Sequence, residues 1–238
     1  MRVPVLGPSC AAGEFEFIEP ATLSQPPPYT KMHVGTWMCT TMDQSVRRFK
    51  SLALICEAIS NGDIPKANRL VTLEGPDGFD GAAADRIGES PVMLALSTGH
   101  PRLARRLVAA GYRPDLWEAA ALDMPTELHS IASSAPDRVD LCNAEGWAPM
   151  HLACYAHAHD ALAVLCELAA DPNTVACNSS LETPLHAAAR VDDARLIQTL
   201  LTAGADPRFT DAAGRNPIQL AIELTSVEAA GVLAAIES

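Results

Sequence analysis

Residues Glu182 to Pro207 read E-T-P-L-H-A-A-A-R-V-D-D-A-R-L-I-Q-T-L-L-T-A-G-A-D-P. The run Thr183-Pro184-Leu185-His186 predicts the start of a short helix, and Asp192-Asp193 predicts the turn that follows it. A second helix is indicated by apolar residues at the i, i+1, i+4, i+5 spacing of a buried stripe: Leu196, Ile197, Leu200 and Leu201. Gly204 ends this helix and a loop follows. The stretch therefore predicts one helix–turn–helix unit.

The same pattern occurs twice more in the chain. Trp147–Ala153 reads W-A-P-M-H-L-A, and Asn216–Ala221 reads N-P-I-Q-L-A. The prolines of the three copies, Pro149, Pro184 and Pro217, recur at an almost constant interval. With these three copies in register, the chain resembles the ankyrin-repeat family, whose signature is T-P-L-H-x-A followed by two helices and a turn, with a period of about 33 residues.

This resemblance implies an all-α ankyrin-repeat solenoid of about six helix pairs with short β-hairpin or loop fingers. The run Gly75-Pro76-Asp77-Gly78 interrupts the first unit, which is therefore a degenerate repeat or a cap. The third unit lacks the T-P-L-H motif, although Asp115 can still cap a helix. The predicted domain covers 46–238, with repeats near 46–88, 89–114, 115–142, 143–177, 178–210 and 211–238.

Residues 1–45 differ from the rest of the chain because prolines are frequent and no apolar periodicity occurs. We predict a disordered, proline-rich tail without the apolar run of a secretory signal peptide. The segment Pro26, Pro27, Pro28 and Tyr29 fits the PPxY pattern that WW domains bind as a polyproline helix. The alternative is a proline-rich tail without such a contact.

The charge of the chain is concentrated in its second half. The net charge is −12, of which residues 1–120 carry −1 (12 basic, 13 acidic) and residues 121–238 carry −11 (5 basic, 16 acidic). Such a surface repels phosphate, so nucleic acid is not expected as a partner. A partner with a basic surface is favoured, and solvated acidic faces are the alternative. No apolar run approaches the ~20 residues that span a bilayer, so no membrane contact is expected.

The seven cysteines do not show the spacing of a disulfide framework or of a zinc site. Cys142 and Cys177 occupy matching places in successive repeats, which we expect to be roughly 10 Å apart, beyond the ~7 Å limit on the Cα separation of a disulfide. We therefore predict reduced thiols and a cytoplasmic location. The full set is Cys10, Cys39, Cys56, Cys142, Cys154, Cys166 and Cys177.

The polar residues give little sign of catalysis or metal binding. The resemblance implies that His151 and His186 hydrogen-bond backbone groups between neighbouring repeats, with Gln219 in their place in the last one. The histidines His157 and His159 resemble metal ligands together with Asp160, but residues two apart point to different sides. No hydrolase, metalloprotease or phosphate-loop motif occurs. We predict a protein without catalytic residues, metal or cofactor.

The predicted function is non-catalytic binding of a partner protein on the concave face formed by fingers and first helices. Family positions for partner contact map onto Trp147, Tyr155, Glu182, Arg190, Arg215 and Glu223. We expect Tyr155 to be exposed, and Trp147 to be either an anchor or a tip packed on its neighbour. Arg102, Arg105 and Arg106 form a solvated helix face or a basic patch. Two alternatives remain: a secreted effector whose array targets a host protein, with residues 1–45 as its export signal, and a metal-dependent enzyme.

Overall fold

The structure is a computed structural model that describes residues 51–74 and 90–235, and every regular element in them is helical. The helices, numbered in chain order, are α1 (51–60), α2 (Ile64–Glu74), α3 (Pro91–Ser97), α4 (Pro101–Ala109), α5 (Leu116–Ala121), α6 (Pro125–Ser134), α7 (Pro149–Tyr155), α8 (His159–Glu167), α9 (Pro184–Arg190), α10 (Ala194–Thr202), α11 (Pro217–Leu224) and α12 (Val227–Ala234). They form six successive pairs, which confirms the predicted fold class. No helix in these ranges is both long and apolar enough to cross a bilayer.

Most of these helices begin at residues that favour a helix start, either proline or a capping residue. Proline occupies the first turn of seven of them, where its missing N–H costs no hydrogen bond. Asp115 caps α5, and its side chain accepts from the backbone N–H of Glu118 at 2.8 Å. Asn216 caps α11 in the same way through Gln219 at 2.9 Å. The third unit lacks T-P-L-H, but its first helix still begins at the cap that the sequence predicts, Asp115.

The pairs stack so that equivalent helices lie side by side. The first helices α5, α7, α9 and α11 contact one another in that order, and the second helices α6, α8, α10 and α12 form a parallel outer row. Small buried side chains such as Ala119, Ala120 and the run Ala187–Ala189 let the first helices approach closely. This arrangement is the predicted solenoid of stacked helix pairs.

The buried side chains form two apolar clusters. One contains the interior of the first two pairs together with Tyr112 and Leu122. The other runs continuously from Leu116 to Leu233 through the last four pairs. Leu96 and Met124 pack against both clusters and join them.

Three loops, which we call fingers, project between the helix pairs at 142–148, 176–183 and 210–216. Each finger is closed by its own hydrogen bonds, as when the Asn143 N–H donates to the Trp147 carbonyl at 2.9 Å. Neighbouring fingers are also joined: the Cys177 N–H donates to the Gly146 carbonyl, and the Ala212 N–H to the Ser180 carbonyl, both at 2.8 Å. The fingers thus form one hydrogen-bonded row.

The pairing of the fingers explains why the prediction of reduced thiols is wrong for two of the cysteines. Cys142 and Cys177 form a disulfide with a Cα separation of 6.2 Å, well below the spacing expected for matching places in successive repeats. The expected value is the spacing of packed helices, whereas these cysteines lie in fingers joined directly by backbone hydrogen bonds. Cys56, Cys154 and Cys166 are free thiols, and Cys10 and Cys39 lie outside the described residues.

One link between pairs is much shorter than the later ones. Residues 135–148, 168–183 and 203–216 connect the later pairs, and each of these links includes a finger. Only residues 110–115 connect α4 to α5. The third pair therefore has no finger. The tail predicted over 1–45, the start of the domain at 46 and the interrupted loop at 75–78 lie outside the described residues and stay predictions.

Substitution of Gly146 tests whether the close contact between neighbouring fingers stabilises the array. A Cβ on Gly146 would lie 2.7 Å from both the Cβ and the N of Asn178. Gly214, with a similar positive φ, has open space at its Cβ position. We expect Gly146→Ala to lower the free energy of unfolding by about 2–4 kcal/mol, the sum of left-handed strain and overpacking, and Gly214→Ala by only about 1–2 kcal/mol. Urea unfolding of the two variants measures the difference, and equal losses would contradict the close approach.

The disulfide gives a second prediction. Because it joins residues 35 positions apart, removing it through Cys142→Ser should cost about 2–4 kcal/mol of unfolding free energy. Treatment of the unmodified chain with reductant should lower its melting temperature, and the same treatment of Cys142→Ser should not. Peptide mapping without reduction should recover residues 142 and 177 on one linked fragment. Alkylation of both thiols in the unreduced protein would contradict the pairing.

Candidate partner-binding site

Two buried histidines join the helix pairs. His151 Nε2 donates to the carbonyl of Glu182, and His186 Nε2 to that of Arg215, each at 2.9 Å. The His186 Nδ1 accepts the N–H of Thr183 at 3.2 Å. Burial lowers the pKa of His151 to about 4 and also lowers the pKa of His186. Both imidazoles are therefore neutral near pH 7 and link neighbouring repeats, as predicted.

Four of the predicted partner-binding residues meet on the face formed by the first helices and the fingers. We call Trp147, Tyr155, Glu182 and Arg190 the concave cluster. The rings of Trp147 and Tyr155 make an edge-to-face contact, and their centroids lie 5.1 Å apart. The Tyr155 hydroxyl donates to one carboxylate oxygen of Glu182, and the Arg190 guanidinium donates to the other. The cluster bridges the fourth and fifth pairs.

Exposure within the concave cluster differs from the prediction. The sequence assigns Glu182 to partner contact, but only 4% of its side chain is exposed. It is buried because its carbonyl is held by His151 and its carboxylate by Tyr155 and Arg190. Tyr155 is half-buried rather than exposed, and burial raises its pKa. Trp147 is half-buried, and the side chain of Arg190 is 36% exposed.

The other two predicted residues form a separate cluster in the last finger. Arg215 donates through Nη2 to Asp211 Oδ2 at 2.6 Å and through Nη1 to Glu223 Oε2 at 2.8 Å. Burial acts to raise the pKa of Asp211, but the hydrogen bonds from Arg215 hold it below its usual range. Glu223 stays 55% exposed. In both clusters the arginine charge is already balanced by a buried carboxylate.

Other polar groups singled out in the sequence also bridge repeats. His157 Nδ1 lies 2.8 Å and His159 Nε2 3.3 Å from Asp193 Oδ2. The interhelical turns thus bring the two histidines to one carboxylate. No set of three or more His, Cys, Asp or Glu suited to a metal ion occurs in 51–74 or 90–235.

The predicted arginine face on α4 is only partly free. The Arg106 guanidinium donates hydrogen bonds to two residues of α2, to Asn68 Oδ1 and, at 2.7 Å, to Thr72 Oγ1. Arg106 therefore joins the first two pairs. Arg102 and Arg105 remain exposed. Arg106 is exposed as well and keeps its charge, since its partners on α2 are neutral, so the arginine face is solvated.

A groove that sequence reasoning missed lies beside the concave cluster. It has a volume of about 350 Å³ and crosses the second, third and fourth pairs. Its walls are mostly apolar, with Arg105 and Glu145 at its rim, and include Met93, Leu96, Leu122, Trp147, Leu152 and Tyr155. No motif marks this groove, because its lining residues are ordinary helix residues from three different repeats.

Comparison with known proteins agrees with the geometry. The family model for ankyrin repeats (three copies) matches residues 55–176 and 116–211, which together exceed half of the chain. The chain belongs to the ankyrin-repeat family. Its array is 30% identical over 174 residues to the B-cell lymphoma 3 protein of Homo sapiens, an alignment that covers 71% of this chain and 33% of that protein.

A second relative is the ankyrin repeat and SOCS box protein 11 of Danio rerio. It is 29% identical over 131 residues, which cover 55% of this chain and 35% of that protein. The chain thus spans about a third of the length of the curated relatives that it matches. Ankyrin repeats identify the array as a protein–protein interaction module.

A buried acid replaces the repeat histidine in the third ankyrin unit. Glu118 lies three residues after its N-cap Asp115, as His186 does after Thr183. Its carboxylate accepts from the Ser90 hydroxyl, from the Tyr112 hydroxyl at 2.9 Å and from the Asp115 N–H at 2.8 Å. Burial, and then the charge of Asp115, raise the pKa of Glu118 to about 7. Alignment on the N-cap, rather than on the T-P-L-H motif, would have revealed this residue.

The raised pKa predicts a pH dependence of stability. Unfolded Glu118 loses its proton near pH 4.5, whereas the folded acid holds it to about pH 7. Its contribution is therefore complete below pH 4.5 and is lost as pH rises to about 7, by up to about 3 kcal/mol. We expect Glu118→Gln to gain about 1–3 kcal/mol relative to the unmodified chain between pH 5 and pH 8.

Denaturant unfolding at the two pH values measures this gain, and any fixed effect of the amide cancels in the comparison. Glu228→Gln is the matched control, since Glu228 is exposed on α12. Parallel stability curves for the Glu118→Gln variant and the unmodified chain would contradict a buried acid that titrates near neutrality.

Proposed function

We propose that the array is a non-catalytic module that binds a partner protein on its concave face, across the concave cluster and the adjoining groove. The observation that carries this proposal is the apolar groove of about 350 Å³ bordered by Trp147 and Tyr155. Aromatic side chains next to a water-excluding groove are the usual anchors of protein interfaces. The concave cluster supports them rigidly, since buried Glu182 fixes both Tyr155 and Arg190.

Charge favours a basic partner surface. Arg190 and Arg215 are balanced by Glu182 and Asp211, so they add little net positive charge to the face. The carboxylate of Glu145 makes no hydrogen bond or ion pair within the described part of the chain, and Glu223 is exposed. With a net charge of −11 over residues 121–238, the field over this face attracts cations. The contact of residues 26–29 with a WW domain remains a separate prediction.

An exported interaction protein is the second candidate, and the disulfide favours it. The prediction of a cytoplasmic location rests on reduced thiols, but Cys142 and Cys177 are paired. Disulfides persist mainly in oxidising compartments and are rare in the cytosol. A secreted module with the same concave site accommodates this pairing. The cytoplasmic location stays a prediction, but reduced thiols no longer support it.

A bulky charge in the groove tests the proposed face. Ala156 lines the groove and is exposed, so Ala156→Arg should block docking without disturbing the core. Gln198→Arg makes the same change of charge on the outer row of helices, where Gln198 is exposed. We expect quantitative affinity purification to recover at least tenfold less of each partner with Ala156→Arg and an unchanged amount with Gln198→Arg. A loss of this size is typical of a substitution at a central hot spot.

Both variants should melt within a few degrees of the unmodified protein, because exposed sites contribute little to stability. Partners that survive Ala156→Arg but are lost with Gln198→Arg would place binding on the outer helices. Equal retention of every partner by both variants would refute the concave site.

A further inference from the structure

The missing finger of the third repeat leaves a cavity in the row of fingers. The cavity has a volume of about 500 Å³ and lies between the start of α3, the N-cap Asp115 of α5 and the fingertip residues Cys142–Glu145. It shares Met93, Ser97 and Glu145 with the concave groove, so the two form one continuous depression. The position is the one that a finger from residues 110–115 would occupy.

Two backbone N–H groups at the edge of this cavity have no partner among the described residues. Each later finger pairs through one N–H group: that of Cys177 in one and that of Ala212 in the other donates to a carbonyl of the preceding finger. The equivalent residues of the 142–148 finger are Cys142, one repeat before Cys177, and Ala144, two repeats before Ala212. The N–H groups of Cys142 and Ala144 make no hydrogen bond to any residue that the structure describes, and both residues line the cavity.

The side chains around these donors define the chemistry of an occupant. Asp115 and Glu145 place acidic groups at the cavity, and the Glu145 carboxylate has no partner among the described residues. Beyond Met93 the depression becomes apolar, towards Leu96, Trp147 and Tyr155. An extended chain can satisfy unpaired edge donors with its carbonyls, while alternate side chains enter neighbouring pockets.

We propose that an extended segment of a partner protein takes the place of the missing finger. Its carbonyl oxygens accept from the N–H groups of Cys142 and Ala144, and a lysine or arginine faces Asp115 and Glu145. A large apolar side chain next to that cation enters the groove between Met93 and Trp147. This proposal rests on the proposed function and specifies the partner segment as extended, basic and apolar.

Proline substitution at Ala144 tests the backbone contact. The Gly146 N–H donates to the Asn143 carbonyl at 3.0 Å, which places Ala144 second in a β-turn, where proline is favoured. Ala144→Pro therefore removes the N–H and keeps the turn. Ser179→Pro is the matched control, because the Leu181 N–H donates to the Asn178 carbonyl and Ser179 has the same place in the next finger.

The probe is a phage-displayed library of linear, cysteine-free peptides selected on the full chain, followed by fluorescence anisotropy with the selected synthetic peptides. We expect these peptides to carry a lysine or arginine next to a large apolar residue. Their affinity should fall about tenfold with Ala144→Pro and about threefold with Glu145→Gln, the latter mostly at low salt. It should be unchanged with Ser179→Pro.

Three results would overturn the proposal. They are a library that yields no binder of this composition, binders that tolerate Ala144→Pro, and peptide affinity that rises when residues 1–45 are deleted. The last would show that the chain's own N-terminal segment fills the cavity. If Ala156→Arg abolishes partner capture while Ala144→Pro leaves it intact, the concave site stands and the finger-replacement contact fails. If neither variant affects capture, both proposals fail.

Discussion

The structure depends on polar contacts that reach from one repeat to the backbone of the next. A stack of short helix pairs buries apolar surface between neighbours, but apolar contact alone does not fix how successive loops align. His151 and His186 supply that alignment, because each donates to a carbonyl just before the next first helix. Both rings are kept neutral by burial, which lowers the pKa of each, so the link needs no charge compensation inside the stack.

Three residue types occupy this helix position in the last four repeats. Histidine reaches forward to the next repeat, whereas Glu118 reaches back to the Ser90 hydroxyl at the start of α3. In the last repeat Gln219 closes its own capping box with Asn216. The backward contact of Glu118 occurs in the repeat without a finger. Glu118 accepts in this contact, and because its pKa is raised to about 7, the charge at this junction depends on pH.

The fold could be predicted well because its sequence signals are local. Proline at the first helical turn, capping residues and apolar stripes act within a few residues, so all six pairs are predictable, including the one begun by Asp115. The site is harder to predict because its geometry comes from contacts between different repeats. Glu182 is predicted only as a partner-contact residue, because Tyr155 and Arg190 converge on it once the repeats stack. The predicted Cys142–Cys177 distance failed for the same reason, since finger spacing is set by backbone pairing rather than by helix diameter.

The short link between α4 and α5 also divides the energetics of the solenoid. Repeat arrays behave as chains of nearest neighbours, in which cooperativity passes only through the interfaces between adjacent units. At this junction the finger contact is missing, and Leu96 and Met124 are the apolar residues shared by the two clusters. Fraying that starts in the first two pairs therefore meets a weak coupling before it reaches the last four. We therefore expect the array to unfold as two cooperative blocks of unequal length, of which the longer one, with the row of fingers and the disulfide, is the more stable.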